Sequence, residues 1–287
     1  NKVQEAGEKW KSIKEKKPNI KLHLIGRLQT NKVKFAIKIF DYIHSLDSIK
    51  LAKKIADEEK KQNKKIQLFI QVNIGNEDQK SGIKKQDLNL IDILLTHHHF
   101  DHVGGTMELK KIMSGKVYGP EGNIEGIDTY VSEEDEINTL HYKFKILHTP
   151  GHTLDHICFV DYQKRIIFCG DTLFSAGCGR VFEGTFEQMH KSIQKINALD
   201  ENTYIYCAHE YTQSNLQFVC SQMNDNFVND YASELEHKLS NGGISIPTKL
   251  SLERRINPFL LNNVPSDLED YDDLEKFTEL RTRKDNF

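Results

Sequence analysis

The sequence predicts an α/β protein built in two parts, and three observations carry that prediction. Helix-period and strand-type stretches alternate through the first third. From residue 91 onward, short apolar strands each end in a histidine or an aspartate. The charge also divides: residues 1–86 are rich in lysine and the remainder is acidic, around a net charge of −3 for all 287 residues.

The elements follow in order. Val3, Ala6, Trp10 and Ile13 recur at helical spacing, and residues 20–25 alternate like a strand that stops at Gly26. Residues 32–40 read as a helix and 42–46 as a strand. Asp47 is expected to cap a helix running to Asn63, and 66–74 to form the next strand. This is the rhythm of an α/β barrel. Further on, strands are expected at 91–96, 166–170 and 203–207, and a helix at 270–283. The expected domains are 1–86, a partial barrel fragment; 87–212, a domain carrying the polar strand ends; and 213–287, a helical region.

The chemistry concentrates in Thr96-His-His-His-Phe-Asp-His-Val-Gly-Gly105. Alternate residues of extended backbone point to one side, so His97 and His99 can grip one ion while His98 faces away. Asp101 and His102 follow one turn later, within reach of a second ion. An isolated histidine pair is more often structural than functional. Here three further donors arrive downstream: His152 after a Pro-Gly turn, Asp171 at the end of an apolar strand, and His209 at the end of another. Imidazole and carboxylate without thiolate suit two divalent ions, zinc first and iron or manganese also, and Asp171 is the type of group that bridges two cations. His98, His141, His148, His156 and His190 are read as packing or surface residues. His148 and His156, each four residues from His152, are placed to support the donors from behind.

On these motifs, the chain from about 88 to 287 resembles the hydroxyacylglutathione hydrolase (glyoxalase II) family of the metallo-β-lactamase superfamily. The resemblance implies an αββα sandwich, here lacking its first strands, followed by a helical substrate-binding region. It implies one metal on His97, His99 and His152, a second on Asp101, His102 and His209, and Asp171 between them, with Asp101 and Asp171 as catalytic groups. Gly177-Cys-Gly-Arg-Val-Phe182, His209-Glu-Tyr211, Arg254-Arg-Ile-Asn-Pro-Phe-Leu260 and Leu280-Arg-Thr-Arg-Lys-Asp-Asn-Phe287 are similar to that family's substrate-side segments. By this resemblance Arg180, Phe182, Tyr211, Arg281 and Lys284 bind the glutathione part of a thioester. The i, i+3 spacing lets Arg281 and Lys284 reach one ligand; favourable charge at a helix C-terminus is the competing reading. The implied reaction is metal-dependent hydrolysis of an S-(2-hydroxyacyl)glutathione such as S-D-lactoylglutathione to glutathione and D-lactate, in methylglyoxal detoxification. The alternatives are another hydrolase or a sulfur dioxygenase of the superfamily, or an inactive chimeric fragment. Two departures stand out: Ala208 where the family has glycine, and Leu261 where arginine is common.

His23-Leu-Ile-Gly-Arg-Leu-Gln-Thr-Asn-Lys32 and Gln71-Val-Asn-Ile-Gly-Asn-Glu-Asp-Gln-Lys-Ser-Gly82 give residues 1–83 a resemblance to the pyridoxal-phosphate homeostasis protein family. Only about three of eight βα units are covered. The strand bearing the family's Schiff-base lysine and its phosphate loop are absent, so Lys32 and Lys80 are expected to be surface lysines and pyridoxal phosphate is not expected to bind. The chain opens at Asn1, and the join at 82–88 has no Pro- or Ser-rich linker, so two partial genes in one frame are expected.

Partners are bounded as well. The lysines of 1–86 lack interleaved aromatics, which argues against nucleic acid, and no apolar run approaches the roughly 20 residues that span a bilayer. Five cysteines without C-x-x-C spacing read as free thiols of a reducing cytoplasm. A monomer acting on a small-molecule glutathione thioester is expected.

Overall fold

The computed structural model describes residues 3, 10, 22–64, 66–70, 72–73, 83–84, 90–240 and 244–287. The chain divides into two compact units, Asn1–Asn89 and Leu90–Phe287.

In the first unit, β1 (His23–Leu24), β2 (Tyr42–Leu46) and β3 (Gln67–Ile70) form a parallel sheet in that order, linked by α1 (Val33–Ile39) and α2 (Ile49–Gln62). Leu24, Ile43, Ala36, Ile37 and Ile55 are fully buried and make its core. The cap of α2 is Ser48 and not Asp47. Ser48 has extended backbone and its side chain accepts from the Leu51 N–H at 3.3 Å, the geometry of an N-cap, whereas Asp47 lies 3.6 Å from the Arg27 Nε. Asn63 closes the helix in the left-handed conformation. The strand expected over 66–74 is divided into β3 and β4 (Val72–Asn73), the latter paired in parallel with β5 (Ile83–Lys84). Ile74, Lys80, the join apart from β5, and the first helical stretch apart from Val3 and Trp10 lie outside the described residues.

Among the described residues the second unit holds two main sheets and a small two-stranded one. β6 (Ile93–Leu94), β7 (Val117–Gly119) and β8 (Thr129–Tyr130) run parallel in that order. The larger sheet contains β9 (Glu136–Thr139), β10 (Tyr142–His148), β11 (Ile157–Asp161), β12 (Ile166–Gly170), β15 (Tyr204–Cys207) and β16 (Thr248–Lys249), in the order β16-β15-β12-β11-β10-β9. β13 (Leu173–Phe174) and β14 (Gly177–Cys178) form a small hairpin.

The period-2 alternation of the large sheet explains its two buried faces. Ile157 and Phe159 of β11, with Phe144 and Ile146 of β10, meet Leu94 and Tyr118 of the smaller sheet. Cys158 and Val160 of β11, with Ile167 and Cys169 of β12, point the other way. There they pack against the helical layer, which contains α5 (Phe186–Asn197), α6 (Thr212–Gln222), α7 (Asn226–Ser240), α8 (Leu250–Ile256) and α9 (Asp273–Asp285). A capping box starts α5 at Thr185 and another starts α9 at Asp272. Two layers of helices and strands thus place the ends of β6, β10, β12 and β15 together. No helix among the described residues is long and apolar enough to cross a membrane.

Candidate metal centre

The donors leave the ends of strands or, for Asp101 and His102, the helical turn that follows one. His97 and His99 follow β6, and His99 stands at the N-terminus of α3 (Phe100–Val103), whose single turn presents Asp101 and His102. His152 follows β10, Asp171 follows β12 and His209 follows β15. Separated by up to 112 residues of sequence, from His97 to His209, they converge into three overlapping groups: His97, His99 and His152; His97, His102 and Asp171; Asp101, His102 and His209. Within each group the donor atoms lie no more than 4.8 Å apart.

Asp171 stands between them. Its Oδ2 is 3.4 Å from His152 Nε2 and 3.5 Å from His209 Nε2, and its Oδ1 is 3.3 Å from His102 Nε2. Asp101 Oδ2 is 3.4 Å from His209 Nε2 and 3.5 Å from His102 Nε2. Two nitrogens on one tetrahedral zinc at its usual bond length stand about 3.3 Å apart, so this spacing suits donors around a shared cation. His97 Nε2, His102 Nε2 and Asp171 Oδ1 are buried and make no hydrogen bond. The 3.3 Å approach of His102 to Asp171 therefore brings the atoms close without aligning them. Orphaned buried donors aimed at common space are the mark of a site built to hold a cation.

The electrostatics agree. Burial, reinforced by the imidazoles of His156, His102, His152 and His99, holds His97 far below the usual histidine range. Burial also lowers His152. For His102 burial opposes the charge, but the nearby carboxylates of Asp171 and Asp101 leave the group raised. Imidazoles held neutral by burial, as at His97 and His152, beside carboxylates are ready to ligate a divalent metal. The His152 Nδ1 is 2.8 Å from the Arg180 carbonyl, which fixes that nitrogen as the N–H and leaves Nε2 facing the cluster.

Residues behind the donors hold them in place. His156 is fully buried; its Nε2 accepts from the Asp171 N–H at 3.1 Å and its Nδ1 meets the hydroxyls of Thr149 and Thr172. His148 instead meets the Leu154 carbonyl. His98, read from sequence as a plain surface or packing residue, is bracketed by Asp155 at 3.0 Å and Glu183 at 3.1 Å. The turn bearing His152 is pressed against the segment bearing Phe182. Gly151 has φ 150°, and a Cβ built on Gly184 falls 2.7 Å from the Gly151 Cα.

The cluster opens into a cavity of about 490 Å³ whose other wall is Phe174, Arg180, Phe182 and Tyr211. Phe182 stands edge-on to His152 and His99, and Tyr211 stacks on His209 at 5.0 Å. Arg281 and Lys284 are not among its lining residues. Arg281 is only 4% exposed, its guanidinium donating to the Cys178 carbonyl at 3.1 Å and pairing with Asp285 at 2.9 Å. It turns inward because α9 buries Phe277 and Leu280 against the same core. Lys284 donates to the Ser214 carbonyl and lies over Phe218 and Phe287; burial, with Arg281 adding to it, pulls its pKa down to about 8. The Arg254-to-Leu260 segment also acts from behind, with Arg254 holding Asn197 and Leu199 and Asn257 holding the β13–β14 hairpin. Sequence reasoning missed Phe174 as a wall of the cavity; its place three residues after Asp171 was the available signal. Ala208 donates to the Gly170 carbonyl, and Leu261 adopts φ 61°.

Residues 74–209 match the family model of the metallo-beta-lactamase superfamily, and residues 210–287 match that of the hydroxyacylglutathione hydrolase C-terminus. A hydroxyacylglutathione hydrolase of Klebsiella pneumoniae is 46% identical over 208 residues, covering 68% of this chain and 81% of the relative. Among solved structures, ETHE1 from Myxococcus xanthus aligns with 24% identity over 68% of this chain and 70% of its own, at a TM-score of 0.49. PipY of Synechococcus elongatus aligns with 28% identity over 42% of this chain and 52% of its own, at a TM-score of 0.29.

Proposed function

The chain belongs to the hydroxyacylglutathione hydrolase family of the metallo-β-lactamase superfamily, and from that premise we propose that it hydrolyses S-D-lactoylglutathione and related 2-hydroxyacyl thioesters to glutathione and the free acid. This is the step that clears the thioester made from methylglyoxal. The observation that carries the reading is the convergence of seven imidazole and carboxylate donors, five of which (His99, Asp101, His152, Asp171 and His209) line a cavity whose opposite wall offers a cation and aromatic rings.

His97, His99 and His152 would hold one divalent cation, Asp101, His102 and His209 the second, and Asp171 would be shared. Zinc suits the donor set best, and iron or manganese is compatible with it. When bound, such ions supply Lewis acidity and a water of near-neutral pKa. Asp101 and Asp171 orient the attacking nucleophile, and His156 keeps Asp171 in register through its backbone N–H. Arg180 meets a glutathione carboxylate while Phe182 and Tyr211 flank its backbone; Lys284, outside the cavity lining, would have to release the Ser214 carbonyl to meet a second one, and Arg281 serves by fixing the Cys178 carbonyl. The leaving thiolate, with a thiol pKa near 8.5, departs without a strong general acid.

Five cysteines without disulfides suit a reducing cytoplasm. Residues 1–86 are read as a partial barrel fragment that does not bind pyridoxal phosphate, 87–212 as the dimetal domain and 213–287 as the substrate-binding helices. The test is direct: zinc-loaded protein is mixed with S-D-lactoylglutathione and released thiol is followed with a chromogenic disulfide. Release no faster than in the chelator-treated control defeats the reading.

A further inference from the structure

We propose that Glu253 is a positioning residue for the thioester pocket, clamping from behind the β13–β14 turn that sets Phe174 and Arg180 against the metal donors. The inference rests on the reading above that this wall contacts the substrate.

Glu253 is fully buried in α8 and its carboxylate receives four neutral donors. Ser175 Oγ and Thr248 Oγ1 donate to Oε1, each at 2.7 Å; the Ala176 N–H donates to Oε2 at 2.8 Å and Asn257 Nδ2 at 3.2 Å. Four donors fill the acceptor capacity of a carboxylate. Burial raises its pKa while those donors oppose the rise. A charge sunk in a core without a cation is costly, so the arrangement calls for a reason other than packing.

The reason is the turn it holds. Ala176 has φ 57°, a left-handed conformation that a residue with a side chain adopts under constraint. Its N–H is the group pinned by Glu253. Asn257 brackets the same turn: its Nδ2 lies 3.0 Å from each of the Phe174 and Gly177 carbonyls, so its two N–H bonds are shared among these carbonyls and Glu253. The hairpin begins just after Asp171 and ends just before Arg180, and the Phe174 ring lies 5.2 Å from that of Tyr211. A slip of the turn therefore moves the cavity wall on both sides.

The two oxygens differ in what they receive. The partners on Oε1 are hydroxyls, which can reverse and accept, while those on Oε2 are N–H groups, which cannot. Glu253→Gln can therefore keep all four contacts with its amide nitrogen at the Oε1 position. Glu253→Met keeps the volume and loses every contact. In the full chain with zinc, E253Q is expected to keep the wild-type KM for S-D-lactoylglutathione. E253M is expected to raise KM about tenfold, as loss of charge-assisted hydrogen bonds would, with kcat changed less and bound zinc unchanged. Should E253M not fold, a pair of single-hydroxyl variants decides. Ser175→Ala, inside the hairpin, is expected to raise KM about threefold, and Thr248→Val, outside it, to leave KM unmoved. Wild-type KM in E253M, or equal effects of S175A and T248V, with only the melting temperature lowered, overturns the proposal. A wild-type protein inert toward the thioester defeats the functional reading instead.

Discussion

Stripping the metal should destabilise the second unit by an amount that the donor cluster itself sets. Three buried atoms, His97 Nε2, His102 Nε2 and Asp171 Oδ1, have no hydrogen-bond partner among the described residues. Each such orphan costs about 1–3 kcal/mol when nothing pairs with it, so a metal that satisfies all three contributes at least about 3 kcal/mol. For a domain of roughly 200 residues each kcal/mol moves Tm by about 2–4 °C, which puts the shift at about 6 °C or more. The assay is a melt of chelator-treated, dialysed protein against the same protein titrated with zinc, followed by far-ultraviolet circular dichroism. Tryptophan fluorescence would follow the wrong unit, because Trp10 is the single tryptophan and belongs to the first. Superimposable melts with and without zinc refute the assignment of these atoms as ligands.

Asp171→Asn removes the carboxylate shared by both donor groups; kcat should fall by roughly 10²–10³-fold, and steady-state turnover at wild-type rate would count against the shared role. Lys284, with its pKa lowered to about 8 by burial, is cationic below that pH and loses its charge above it. KM for a substrate bearing carboxylates should then climb as the pH passes about 8, and a pH series on Lys284→Gln should be flat there; equal slopes would exclude the contact. Phe159→Ala empties a fully buried ring site between the two sheets, and urea unfolding should register a loss of about 3–5 kcal/mol.

Much of the site was legible because its information is local. An apolar run ending in a histidine or aspartate needs only a strand to aim the donor, and β12 and β15 aim Asp171 and His209 as the alternation of their side chains requires. Less local facts were lost. Asp47 and Ser48 are both capable caps, and only the extended backbone at Ser48 decides between them. The spacing of Arg281 and Lys284 makes them helix neighbours, but which face turns inward is decided by Phe277 and Leu280 meeting a core built from distant strands. His98 shows no hint of Asp155 or Glu183, because the loops that bring those carboxylates to it belong to other strands.

The bare backbone meeting of Gly151 and Gly184 limits how this enzyme can diverge. A side chain at Gly151 would strike Met189 and one at Gly184 would strike Gly151 itself, so new acyl or thiol preferences have to be written in flanking residues that face water, Phe182 and Leu154. A library confined to those two positions would vary selectivity while leaving every donor atom where it stands.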